Sequence, residues 1–84
     1  MTLSEYIGAL ESANPKDEEV FHKLLNEGMT LMLLTDEDCA RMFDVSRPSV
    51  TRWRNASTKP HALVRKLVFA ELKSRAMVLT AHSA

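Results

Sequence analysis

The chain has 84 residues, enough for one small domain with a modest core and too few for an enzyme cleft and its scaffold. Hydrophobic content of 45% with only two glycines and three prolines excludes a disordered chain. Eleven basic residues balance eleven acidic ones, so net charge alone gives no attraction to nucleic acid. The single cysteine excludes an internal disulfide and points to a reducing, cytoplasmic compartment. No secretory leader is read, and no apolar run is longer than that of Leu31 to Leu34, too short to span a bilayer, so no membrane partner is expected.

In chain order, Thr2-Leu3-Ser4-Glu5 opens a first helix within 1–14, with Tyr6 or Ile7 and Leu10 on one face. Asn14-Pro15 ends it. The same Asn14 is placed to cap a second helix, with Pro15 at its first position and Asp17, Glu18 and Glu19 in its first turn, where acids favour the positive end of the dipole. Val20, Phe21, Leu24 and Leu25 keep helical spacing, and Gly28 is a natural stop. Met29 to Leu34 is an apolar connector, either a helical turn or an extended segment.

Thr35 then caps a third helix, with Asp38 completing a capping-box-like arrangement. Cys39 and Ala40 lie midway along it, Phe43 closes it, and Val45 fills the turn that follows. Ser46 caps a fourth helix with Pro48 in its first turn, where a missing N–H costs little. Val50 and Trp53 form its inward stripe, and the small Ala40 leaves room for two helices to cross at close range. Asn55 to Lys59 is a polar loop. Pro60 opens a last helix over 60–76, with Leu63, Leu67 and Ala70 and the neighbouring Val64, Phe69 and Leu72 as a broad apolar stripe. Residues 77–84 are expected to be a frayed tail or a partner contact. The fold class is therefore all-α, a compact bundle of about five helices in a single domain over 1–84.

Charge is sorted along this chain. From Met1 to Ala40 two lysines meet nine acids, a net of −7. From Arg41 to Ala84 nine lysines and arginines meet only Asp44 and Glu71, a net of +7. Such polarity presents one positive face to a polyanion and repels it from the opposite end.

The segment 35–55 resembles the helix-turn-helix of the phage Cro/CI-like (XRE-type) transcriptional regulator superfamily, with Ala40 at the small position and Val50 at the β-branched one. The helix after it extends the resemblance toward Leu72. The resemblance implies a lambda-repressor-like bundle, a homodimer and a palindromic operator in double-stranded DNA. It also implies a prokaryotic, phage or plasmid context. Where the family often has Asn-Gly, this chain has Asn55-Ala56 with Pro60 downstream; where it has a turn glycine, this chain has Asp44. At a position often held by Gln stands Asp36, an acid expected to repel a nearby phosphate.

An α-helix fits the major groove, where base edges expose a distinct donor and acceptor pattern. On the fourth helix Arg47, Pro48, Thr51, Arg52 and Asn55 point away from Val50 and Trp53. Base contacts are expected from Arg47 and Arg52 to guanine, from Thr51 to a base edge or thymine methyl, from Pro48 to a methyl, and from Ser49 at the side. Phosphate contacts are expected from the backbone N–H at Thr35 and from Ser46, Asn55 and Lys59. Arg54 falls nearer the core face, where it snorkels or pairs with an acid. Trp53 and Cys39 read as core residues.

No cofactor, metal or catalytic role is expected. His22, His61 and His82 share no ligand spacing with Cys39, and Ser46, Ser49 and Ser57 near His61 lack the acid partner that nucleophilic catalysis needs. A repressor that occludes a promoter is the favoured reading. Alternatives are an antitoxin or other protein-interaction module, and a DNA-targeting accessory subunit of a recombinase. Either the last helix or the acidic first helix, with Tyr6, Ile7 and Leu10, offers a surface for a second copy or a protein partner.

Overall fold

A computed structural model describes residues 1–82 and contains five helices, α1 (Leu3–Ser12), α2 (Glu18–Leu31), α3 (Asp36–Phe43), α4 (Arg47–Arg54) and α5 (Ala62–His82), with no strand among the described residues. The fold is all-α. Each start has a local cause. Thr2 and Glu5 form a reciprocal capping box at α1, and the carboxylate of Asp17 accepts from the amides of Glu19 and Val20 at α2. Asp17, not Asn14, is thus the cap of α2. Asn14 instead accepts from the amide of Lys16 in a local turn, so residues 13–17 form a connector between α1 and α2.

Gly28 does not stop α2; the helix runs on to Leu31. The glycine is there because Tyr6 of α1 lies across it: a Cβ at position 28 would come within 2.1 Å of the phenol oxygen and 2.7 Å of Cζ. The phenol donates to the carbonyl of Leu24 at 2.7 Å, so the close approach also satisfies a buried hydroxyl. The end of α2 is made by Leu33, at φ 55°, a left-handed conformation that β-branched and bulky residues seldom adopt. Its side chain is 87% exposed.

One core holds the five helices. Tyr6, Leu10, Phe21, Leu24, Leu25, Cys39, Val50, Trp53, Val68, Phe69, Leu72 and Ala76 are all buried in a single cluster. Burial of each large apolar side chain contributes roughly 1.5–3 kcal/mol. Phe21 sits at its middle, edge-on to Trp53 at 6.3 Å and tilted against Phe69 at 5.7 Å.

The longest helix departs most from expectation. α5 continues to His82, so residues 77–82 are helical, with Ala76 buried and Leu79 half-buried against the core; residues 83 and 84 of the expected tail lie outside the described residues. Leu63, Leu67 and Ala70 face solvent, not the core. The inward face carries Arg65, Val68, Phe69, Leu72 and Ala76. Arg65 is 6% exposed and donates to the carbonyls of Pro15, Pro60 and Lys16. It thereby staples the start of α5 to the α1–α2 connector. No helix among the described residues is long and apolar enough to cross a membrane.

Candidate nucleic-acid interface

α3 and α4 are two eight-residue helices separated only by Asp44, Val45 and Ser46. Thr35 and Asp38 cap α3 reciprocally at 3.0 and 2.9 Å. Asp44 ends the helix with φ 56° and ψ 49°, the left-handed geometry that aspartate tolerates better than most residues. Ser46 caps α4 by accepting from the amide of Ser49, and its hydroxyl also bonds the Ser49 hydroxyl at 2.8 Å. Pro48 then sits at the second helical position, where no intrahelical N–H is needed. Val50 and Trp53 bury on the side of Cys39 and Ala40.

Two sets of polar contacts fix how α4 lies on its neighbours. Asp36, at the start of α3, accepts both Nε and Nη2 of Arg54 at 2.8 and 3.0 Å, a side-on bidentate pair. Its Oδ2 also accepts the Thr51 hydroxyl at 2.7 Å. Arg54 and Thr51 hold the Asp36 carboxyl below its usual pKa by donating to its ionised form. At the other side, α2 reaches the end of α4: the carbonyl of Arg54 meets His22 Nε2 at 2.8 Å and accepts from Asn26 Nδ2 at 3.1 Å. A carbonyl in the last turn has no intrahelical donor, so these contacts supply one. The ring of His22 therefore carries its hydrogen on Nε2 when neutral.

The expected contact residues divide accordingly. Arg47, Pro48, Arg52 and Asn55 are exposed, and among the described residues no hydrogen bond or ion pair engages the guanidinium of Arg47 or Arg52. Thr51 is half-buried, its hydroxyl shared between Asp36 and the Arg47 carbonyl. Ser49 is half-buried and bonded to Ser46. The amide of Thr35 is taken by Asp38, and the ammonium of Lys59 lies 2.6 Å from Glu18, an exposed pair open to exchange. Asp36 does not present bare negative charge, because Arg54 matches it.

Three features escaped the sequence reading. The cap from His22 and Asn26 joins residues about thirty positions apart, and the Arg65 staple joins a side chain to backbone carbonyls, which carry no sequence signal. The partner of Arg54 was legible as an acid but not as Asp36 in particular.

Family models, curated proteins and solved structures yield no significant match to this chain. The chemistry available is thus that of the residues themselves. Among the described residues no group of three or more His, Cys, Asp or Glu side chains is placed to hold a metal ion. Cys39 is fully buried and its thiol is pushed up to about 11, by burial first and then by the nearby acids Asp36 and Asp38, so it is no nucleophile near neutral pH. What remains exposed on α4 is a rigid cationic face with a proline and an amide between its arginines.

Proposed function

We propose that the chain is a sequence-specific double-stranded DNA-binding transcriptional regulator, in which α3, its turn and α4 act as a helix-turn-helix and α4 enters the major groove. One observation carries this reading. Arg47 and Arg52 are both exposed on a helix held in place by Asp36, through Thr51 and Arg54 on the side of Arg47, and by His22 and Asn26 at its end. A helix already held in place leaves only side-chain freedom to be lost on binding, and each bidentate contact to guanine is worth roughly 1–3 kcal/mol of discrimination.

In this reading Pro48 meets a thymine methyl, and Ser46 and Asn55 clamp phosphates. Ser49 and Thr51 contact bases only on exchanging their internal bonds, and Lys59 and the Thr35 amide reach phosphate only on releasing Glu18 and Asp38. The sorting of charge, net −7 before Arg41 and +7 from there on, orients the basic half toward the duplex. The resemblance of 35–55 to Cro/CI-like regulators agrees, as does left-handed geometry at Asp44 and Ala56, where that superfamily often has glycine. A homodimer on a palindromic operator, repressing by occlusion in the cytoplasm of a prokaryotic, phage or plasmid system, completes the proposal. The chain itself is proposed to carry no catalytic activity.

A second reading has its own observation. Leu63, Leu67, Met77 and Val78 are each more than half exposed, which suits a protein-interaction module such as an antitoxin.

The test is fluorescence anisotropy of the purified protein against a random duplex pool at low and near-physiological salt, with bound duplexes sequenced. Salt-sensitive binding that enriches a palindrome supports the regulator. Absence of binding at low salt overturns it.

A further inference from the structure

α5 is apolar on two opposite sides. Its inward face fills the core, yet Leu63, Leu67, Ala70, Ser74, Met77 and Ala81 recur at alternating steps of four and three along the outward face. Leu63 is 67% exposed, Leu67 60%, Met77 52% and the adjacent Val78 51%. Lys66 and Lys73 on one flank and Glu71 and Arg75 on the other separate the two sides, so the outward one is a second apolar stripe that the chain's own core leaves uncovered. Alternating steps of three and four are the seam spacing of two helices wound about each other. α1 offers no comparable surface, since Tyr6 and Leu10 are buried in the chain's own core.

The residues flanking the seam say what covers it. Lys66 and Lys73 border one edge, and Glu71 borders the other between Val64 and Val78. Lys73 is already 3.2 Å from Glu11 of α1, whereas no ion pair engages Lys66 or Glu71 among the described residues. In a parallel pair the two edges meet each other across the seam, and Lys66 of each copy faces Glu71 of the other, twice by symmetry. In an antiparallel pair each edge meets itself, bringing Glu71 against Glu71 and Lys73 against Lys73. The charges match only the parallel pairing of the chain with itself.

We propose that this chain forms a parallel homodimer through the outer face of α5, with Lys66 and Glu71 of the two copies closing the seam reciprocally. The purpose of the pairing rests on the DNA-binding reading. Residues 55–61 tie the end of α4 to the start of α5, so parallel helices bring both α4 segments to the same end of the dimer, as two half-sites on one duplex require.

Sedimentation equilibrium of the intact chain tests the pairing without DNA. The expected result is twice the 9.5 kDa chain mass at tens of micromolar, with Leu67→Glu monomeric and of unchanged helical circular dichroism. Lys66→Glu and Glu71→Lys should each weaken the dimer, and the double exchange should restore it. Ser74→Cys should cross-link between copies on oxidation, because parallel helices set position 74 against itself; the buried Cys39 does not compete. A monomeric wild type overturns the proposal, as does a Leu67→Glu variant that stays dimeric. A dimer lost in Leu67→Glu but refusing the Ser74→Cys cross-link overturns the parallel orientation. A dimer that binds no duplex leaves the interface standing and removes the DNA reading; a monomer that binds an operator does the reverse.

Discussion

Asp36 and Arg54 hold α3 and α4 together through two parallel hydrogen bonds of 2.8 and 3.0 Å, with the Thr51 hydroxyl sharing the same carboxylate at 2.7 Å. The pair is only part-buried, so its direct contribution to stability is modest, about 1 kcal/mol. Its larger effect is to set the tilt of α4. Asp36→Ala should lower stability by about that amount and weaken duplex binding, although removal of an acid near the phosphates would by itself tighten it. Equal or tighter binding in the variant would mean that α4 keeps its orientation without the carboxylate.

The same pair predicts a pH dependence. The folded-state pKa of Asp36 is lowered, chiefly by the bonds from Arg54 and then Thr51. A lowered pKa stabilises the fold above the ordinary aspartate value of about 4 and withdraws that stability as pH falls through the folded value. Urea midpoints at pH 7 and pH 3 should therefore converge for wild type and Asp36→Asn in acid, the variant losing less on acidification. A gap that is constant with pH would remove ionisation of Asp36 as the cause.

Gly28→Ala places a methyl into the ring of Tyr6, whose phenol oxygen would be 2.1 Å from the new carbon. Alanine gains about 1 kcal/mol of helix propensity over glycine. Against this stand overpacking of about 1–3 kcal/mol and a lost hydrogen bond of about 1 kcal/mol from Tyr6 to Leu24. The expected net is a destabilisation of about 2 kcal/mol, read from the chemical denaturation midpoint. Stabilisation would show that α1 slides aside freely.

Leu33 and Ala56 sit at φ 55° and 60°, each just beyond a helix end. Left-handed backbone costs an L-residue roughly 1–2 kcal/mol, which glycine escapes at some entropic cost of its own. Leu33→Gly and Ala56→Gly should each stabilise by about 0.5–1 kcal/mol, because neither exposed side chain contributes burial. Thermal melts decide this, and a lower midpoint for Leu33→Gly would mean that Leu33 is held by a partner.

Arg52 and Arg54 are two positions apart and should behave oppositely. Arg52→Ala should leave the melting temperature near wild type while relaxing preference at one base pair by about 1–3 kcal/mol. Arg54→Ala should lower the melting temperature and weaken binding without shifting base preference. Selection from a random duplex pool separates the two, and uniform loss across sequences would reassign Arg52 to phosphate.

The legible parts of this molecule are those whose cause is local. The starts of α3 and α4 could be placed because Thr35, Asp38, Ser46 and Pro48 act within one helical turn of themselves. Gly28 misled because a glycine that ends a helix and one that admits a ring from elsewhere look alike until Tyr6 is placed. α5 misled for a deeper reason: with apolar residues on two faces, periodicity cannot tell which one turns inward. At the candidate interface the exposure of Arg47 and Arg52 followed from the wheel. The engagement of Thr51, Lys59 and the Thr35 amide did not, since it depends on where Asp36, Glu18 and Asp38 fall in space.

Arg65 has a consequence for the reach of the molecule's charge. Its guanidinium is bound by the carbonyls of Pro15, Pro60 and Lys16, all of them neutral groups, and so keeps its full unit of positive charge beneath the surface. Interactions between exposed charges are muted by the ionic atmosphere over about 10 Å at 0.1 M salt, while those between groups inside the protein are muted far less. The start of α5 thus contains a fixed cation that acts within the fold, on the connector whose carbonyls it binds and on the Glu18 carboxylate beside it.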